Sequence, residues 1–227
     1  LSTSIEKKKV ALLIVCYVPE ISDNKSVCSK IKSTFIDVAN KHGACIELID
    51  EITTRDEQRV RSSLKRMADY LYVQNRKGII YYFGHGDQVG DRNGDERRDS
   101  NGQDAGFDEI WRTQNILDDE ITSIFQVINS RSYLFLFSDS CSSGSMIDDN
   151  NSKNWTTLSS SNDKQDSLAT SSGGVFTLWG LLPALTTLKV TTMSNIHEYI
   201  VTNVQIDSQT SILRFGNDSV RNIDIFE

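Results

Sequence analysis

The sequence predicts an α/β domain with a mostly parallel central sheet and helices on both faces. Three observations lead there. Short apolar runs rich in β-branched residues alternate with stretches of helical periodicity. Two of those runs stop abruptly, one at a histidine held between two glycines and the other at a cysteine followed by serines. The chain has 227 residues, enough for one substantial core, and residues 1–227 are read as a single domain.

The elements follow in order. Val10–Val18 reads as a buried strand. Lys25–Lys41 carries Val27, Ile31, Phe35 and Val38 at helical spacing, and Gly43 follows as a stop. Ala44–Ile49 is a second strand. Thr54–Gln74 is a second helix, with Val60, Leu64, Met67 and Leu71 on one face. Gly78–Phe83 is a third strand, Asp119–Ile128 a third helix and Tyr133–Phe137 a fourth strand. Asp87–Trp111, acidic and glycine-rich, reads as a loop. So does Asp148–Gly173, rich in Ser, Asn and Asp and expected to be flexible or a lid. Val175–Leu188 and Ser194–Val204 read as helices and Ser211–Phe215 as a short last strand. No internal repeat is visible.

Composition narrows the function. With 24 Lys and Arg against 31 Asp and Glu, the net charge is −7. That argues against a nucleic-acid or anionic-membrane surface and suits metal ions or basic peptides. Lys7-Lys-Lys before VALLIVCYV looks like the start of a signal peptide, but the apolar run is short, β-branched and without a small-residue cleavage pattern. No run approaches the roughly 18 apolar residues of a membrane span. Cys16, Cys28, Cys45 and Cys141 include no C-x-x-C pair, which argues against structural zinc. A reduced, intracellular (cytoplasmic) chain is expected. The first residue is Leu1, as in a trimmed fragment.

In open α/β sheets, sites form beyond the carboxyl ends of strands. His85, in IIYYFGHGDQ, and Cys141, in YLFLFSDSCSSG, each fall just past one. The flanking glycines are expected to let the chain turn sharply at His85. A cysteine is a nucleophile as its thiolate, and a nearby imidazole favours that form. His42 at a helix end and His197 in a late helix are the poorer partners.

Those two motifs, with LDDEI between them, resemble the caspase-like cysteine peptidases, and the metacaspases in particular. SSSNDKQDSLA at Ser159–Ala169 and GGVFT at Gly173–Thr177 extend the likeness. The resemblance implies a caspase-like three-layer sandwich and a monomeric cysteine endopeptidase acting on peptide or protein substrates. By the same resemblance Cys141 would attack the carbonyl and His85 would serve as acid–base. The N–H groups of Gly86 and Cys141 would hold the oxyanion. Asp139 would bind a basic side chain, giving cleavage after Arg or Lys. Lys153 and Lys164 would be places for self-cleavage.

The carboxylates between Asp87 and Glu120 have a bland reading as a solvated loop. They do not form an EF-hand. Counting from Asp91, Glu96 stands where the turn needs glycine and Gly102 where glutamate belongs; counting from Asp99, Asp104 and Ile110 fail likewise. The resemblance supplies another set, in which Asp108, Asp118, Asp119 and Asp148 bind activating calcium. Departures from the family pattern are equally visible. Phe83 stands where a small polar residue is usual, Ser142 replaces a common histidine, and Ser26–Ile31 lacks the second acid of the specificity pocket. They favour a rival reading, a catalytically weak scaffold that binds calcium or a protein partner. A small-molecule hydrolase lacks its G-x-S-x-G elbow.

Overall fold

In the computed structural model, residues 7–90, 107–147, 153–204 and 209–227 are described. Strand β1 (Lys8–Tyr17) leads into helix α1 (Asn24–Lys41), strand β2 (Ala44–Ile52), helix α2 (Glu57–Tyr72) and strand β3 (Lys77–Gly84). A small antiparallel sheet follows, made of β4 (Gly86–Gly90), β5 (Phe107–Trp111) and β6 (Ile116–Leu117). Then come α3 (Asp118–Phe125), β7 (Tyr133–Asp139), β8 (Trp155–Ser159) and the short pair β9 (Ala169–Thr170) and β10 (Gly173–Gly174). A π-helical stretch at Phe176–Leu181 runs into α4 (Leu182–Thr187), and α5 (Met193–Asn203) and β11 (Ile212–Phe215) complete the fold.

The central sheet has the order β11-β8-β7-β3-β1-β2, parallel throughout except for β11 at one edge. Alternation along each strand builds two cores. Val10, Leu12, Ile14 and Cys16 of β1 join Ile79, Tyr81 and Phe83 of β3 and Phe135 and Phe137 of β7 against α1, α4 and α5. Ala11, Leu13 and Val15 face the other way, with Ile80, Tyr82, Leu134 and Leu136, against α2 and α3. The result is the expected three-layer α/β sandwich, consistent with a caspase-like fold.

Local chemistry sets the helix ends, and α2 at Glu57–Tyr72 is shorter than the expected Thr54–Gln74. Asp23 caps α1 by accepting from Ser26 N (2.9 Å), and Asp56 caps α2 by accepting from Arg59 N (2.9 Å). Gly43, at φ +74°, ends α1 in the left-handed region.

Two expectations are corrected. Part of Asp87–Trp111 is a β4–β5 hairpin, not a loop; residues 91–106 lie outside the described set. Asp148–Gly173 contains β8, every residue of which is buried between β7 and β11 in the central sheet. Its sequence, WTTLS, is aromatic and β-branched enough for a strand, but its hydroxyls look like loop composition.

Candidate active site

Topology places the site. From β1 the chain steps outward to β2, then crosses back to β3 on the other side of β1, so the sheet's switch point lies between β1 and β3. Tyr17 pairs with Gly84, and Phe83 with Asp139. Carried two residues further, that register sets His85 level with Cys141. Both line one small cavity of about 80 Å³, with Val18, Phe83, Asp139 and Ser167 among its walls. On its other side His85, together with Gly86, borders an open cleft of about 580 Å³ whose lining includes Glu20, Arg55 and Arg112.

The backbone of His85 is clamped. Its N–H donates to Thr113 Oγ1 (3.1 Å), while its carbonyl accepts from Arg112 N (2.9 Å) and Tyr82 Oη (2.9 Å). Tyr82 stacks on Trp111 with ring centroids 4.2 Å apart. The Arg112–His85 bond makes the neighbouring Gly86–Trp111 pair a non-hydrogen-bonded one, so the Gly86 N–H points away from β5.

Neither Gly84 nor Gly86 lies in the left-handed region, which corrects the expected sharp turn. Their role is close approach. A Cβ on Gly86 would stand 1.9 Å from the Cys141 carbonyl oxygen, and one on Gly84 would strike the Tyr82 ring.

The cysteine loop rests on hydroxyls. The Ser140 carbonyl accepts from Ser143 (2.8 Å), Ser160 (3.1 Å) and Ser161 (2.9 Å), and the Ser140 N–H donates back to Ser160 Oγ (3.1 Å). These serines are all buried. Ser142, just past Cys141, takes φ +43°.

A strap at residues 162–168 crosses Cys141. Ser142 N donates to Gln165 O (3.0 Å), and Ser167 N donates to Cys141 Sγ (3.2 Å). The thiol points back at Ser167 O (4.0 Å). Burial pushes the thiol pKa up, partly opposed by the Ser167 N–H. The hydrogen bond of the imidazole goes elsewhere, from Nε2 to Glu20 Oε2 (2.7 Å). Thus thiol and imidazole share a cavity while each is bonded to another group.

Asp139 is almost wholly buried at the end of β7. Its carboxylate accepts from Ser167 Oγ (2.9 Å), Thr177 Oγ1 (2.6 Å) and Thr177 N (3.2 Å). Burial outweighs these donors and lifts its pKa to about 6. It lines the same cavity as Cys141.

The expected metal set divides. Asp108 on β5 and Asp118 and Asp119 at the start of α3 bring carboxylate oxygens within 4.8 Å of one another. Asp148 lies outside the described residues. Such a convergence of hard oxygen donors fits calcium chemistry. Asp118 also accepts from Glu109 N (2.8 Å) and Asp119 N (2.8 Å), and the Glu109 side chain accepts from Ser145 in the cysteine loop. His42 packs against Phe226, and His197 bonds to Ser211 O.

Sequence reasoning missed Glu20, Ser167 and Thr177 as contributors. Ser167 and Thr177 stood inside the motifs that carried the resemblance, and their proximity to Asp139 follows only from the fold. Nothing in the sequence marks Glu20.

Comparison with known proteins agrees with this layout. No curated protein matches the sequence. A solved structure, protein GSU0716 from Geobacter sulfurreducens, is similar in fold: TM-score 0.68, 18% identity, 96% of this chain and 98% of that one covered. The family model for the metacaspase, peptidase C14 domain matches residues 8–150, a span that includes His85, Asp139 and Cys141. With well over half its length matched by that family and its strand ends arranged as described, the chain belongs to the metacaspase peptidase C14 family.

Proposed function

We propose that the chain is a cysteine endopeptidase that cuts after Arg or Lys and is activated by calcium. The observation carrying this reading is the parallel register that brings His85 and Cys141 to adjacent strand ends on one cavity, with the Asp139 carboxylate in its wall.

The steps follow from chemistry at those positions. His85 takes the proton of the Cys141 thiol, and the thiolate attacks the carbonyl carbon. The N–H groups of Gly86 and Cys141 hold the oxygen as it gains charge. His85 returns the proton to the amine, the C–N bond breaks, and a thioester remains. Water, deprotonated by His85, then attacks the thioester carbon, the C–S bond breaks to release the acid, and the imidazolium returns its proton to the Cys141 sulfur. Since the thiol rests on Ser167, substrate enters by displacing that contact. The cavity is small, so a long basic side chain reaches Asp139 as the Ser167–Ala169 wall gives way.

Asp108, Asp118 and Asp119, with Asp148, would hold the calcium. The ion supplies charge neutralisation and takes no part in bond making. Lys164, on the strap, and Lys153 are the places where the chain would cut itself, and the enzyme would act as a monomer. The reduced cytoplasm is the compartment these free thiols suit.

A panel of fluorogenic peptides tests the reading. Cleavage after Arg and Lys, at least tenfold faster than after Asp and abolished by Cys141→Ala, is expected. Faster cutting after Asp would overturn the specificity.

The second reading, a catalytically weak scaffold, draws on the thiol and imidazole being bonded apart and on Asp139 being satisfied internally. Alkylation of Cys141 by a peptidyl chloromethyl ketone ending in Arg separates the two: an unreactive Cys141 favours the scaffold.

A further inference from the structure

We propose that Glu20 is a positioning residue for His85, making the reactive pair a Cys–His–Glu arrangement. This rests on the peptidase reading above.

Glu20 stands three residues past β1, on the strand next to β3, so the loop after β1 meets the imidazole directly. Its Oε2 lies 2.7 Å from His85 Nε2. The hydrogen bond to His85 holds the Glu20 carboxyl below its ordinary pKa, so it is ionised at neutral pH and can only accept. A neutral imidazole bonded this way must carry its proton on Nε2. That leaves the Nδ1 lone pair as the base, because the hydrogen bond of one ring nitrogen decides the protonation of the other. A thiol proton taken at Nδ1 produces an imidazolium whose Nε2–H already faces a carboxylate. The proton then leaves from Nδ1 to the departing amine, and the ring is restored to its starting tautomer.

Coulomb attraction is not the main contribution. The side chains of Glu20 and His85 are 68% and 45% exposed, and solvent screens such a pair. The effect is on ring orientation and tautomer. With the backbone of His85 fixed by Thr113, Arg112 and Tyr82, the side-chain torsions are what remain free. Glu20 restricts them.

The test uses Glu20→Ala and Glu20→Gln in the full chain. Glu20 is exposed, so folding of both variants is expected to be unaffected, and thermal melting verifies it. On an Arg-terminated fluorogenic peptide, Glu20→Ala should lower kcat on the order of tenfold, with KM changed less than twofold. Glu20→Gln should retain more activity, since its amide oxygen can still accept the Nε2 proton. Independently, long-range proton–nitrogen spectra of the Cys141→Ala protein, recorded where the imidazoles are neutral, should show His85 in the Nε2–H tautomer. In Cys141→Ala/Glu20→Ala the same resonances should report a tautomer mixture. An unchanged kcat in Glu20→Ala, or an unchanged tautomer in the double variant, would overturn the proposal. Absence of cleavage of any peptide would defeat the peptidase reading instead, and the spectra would still decide whether Glu20 sets the His85 tautomer.

Discussion

At the scale of single residues, Asp139 shows how a site holds a costly charge. Three donors point at its carboxylate, yet burial prevails and its pKa stands near 6 against an ordinary 3.8. An acid with a raised folded pKa binds its proton more tightly folded than unfolded. The ionised form therefore costs stability. The cost is absent below the unfolded pKa, grows as pH rises from about 4 to about 6, and is complete above, at roughly 3 kcal/mol. Asp139→Asn cannot ionise and serves as the reference. Urea unfolding at pH 4 and pH 7 should show the parent losing roughly 2 kcal/mol relative to Asp139→Asn between the two. A difference that stays constant across that range would mean the carboxylate is not held against its charge.

At the scale of elements, legibility tracked the apolar pattern. Helices α1 and α2, and strands β1, β2, β3 and β7, were visible because burial on one or both faces leaves a readable period. Strand β8 was not visible. Thr156, Thr157 and Ser159 are polar by composition and fully buried in fact. Their neighbours Ser160 and Ser161 reach the Ser140 carbonyl from across the sheet, a partnership that depends on a pairing between β7 and β8 distant in sequence. The serine-rich segment is thus a support for the cysteine loop, although its composition suggests a solvated linker. Ser160 has the most exacting part, because its hydroxyl both accepts from Ser140 N and donates to Ser140 O. Ser160→Ala leaves a buried N–H without that acceptor, at a cost of about 1–3 kcal/mol. Urea midpoints should fall accordingly, with peptide cleavage reduced as well. Ser160→Thr, which keeps the hydroxyl, should be the milder change; equal loss in both would assign the effect to packing.

At the scale of the whole molecule, the small sheet is the point where a bound cation would act on the Cys141 loop. Asp108 on β5 and Asp118 and Asp119 on α3 converge within 4.8 Å, and Glu109, beside Asp108, bonds to Ser145 four residues past Cys141. His85, Cys141 and the convergent Asp108, Asp118 and Asp119 were all singled out by the sequence, but this link was not, since Glu109 reads as one acid among many. Close carboxylates repel, so a bound divalent cation would relieve strain between β5 and α3 and firm the strand that steadies the cysteine loop. Binding to the native state alone adds stability by mass action, about 2.7 kcal/mol when free ion stands at a hundred times its dissociation constant. Calcium accepts irregular oxygen cages, whereas magnesium demands a tighter octahedron and keeps its water. Millimolar calcium should therefore raise the melting temperature by several degrees and raise peptide cleavage, while magnesium does neither. Asp119→Ala is the variant of choice, since Asp118 is also tied to the Glu109 and Asp119 backbone N–H groups. It should lose the calcium-induced rise. An identical melting temperature in chelator and in calcium for the parent chain would remove the cation from the account, leaving the Glu109–Ser145 bond as a purely structural brace.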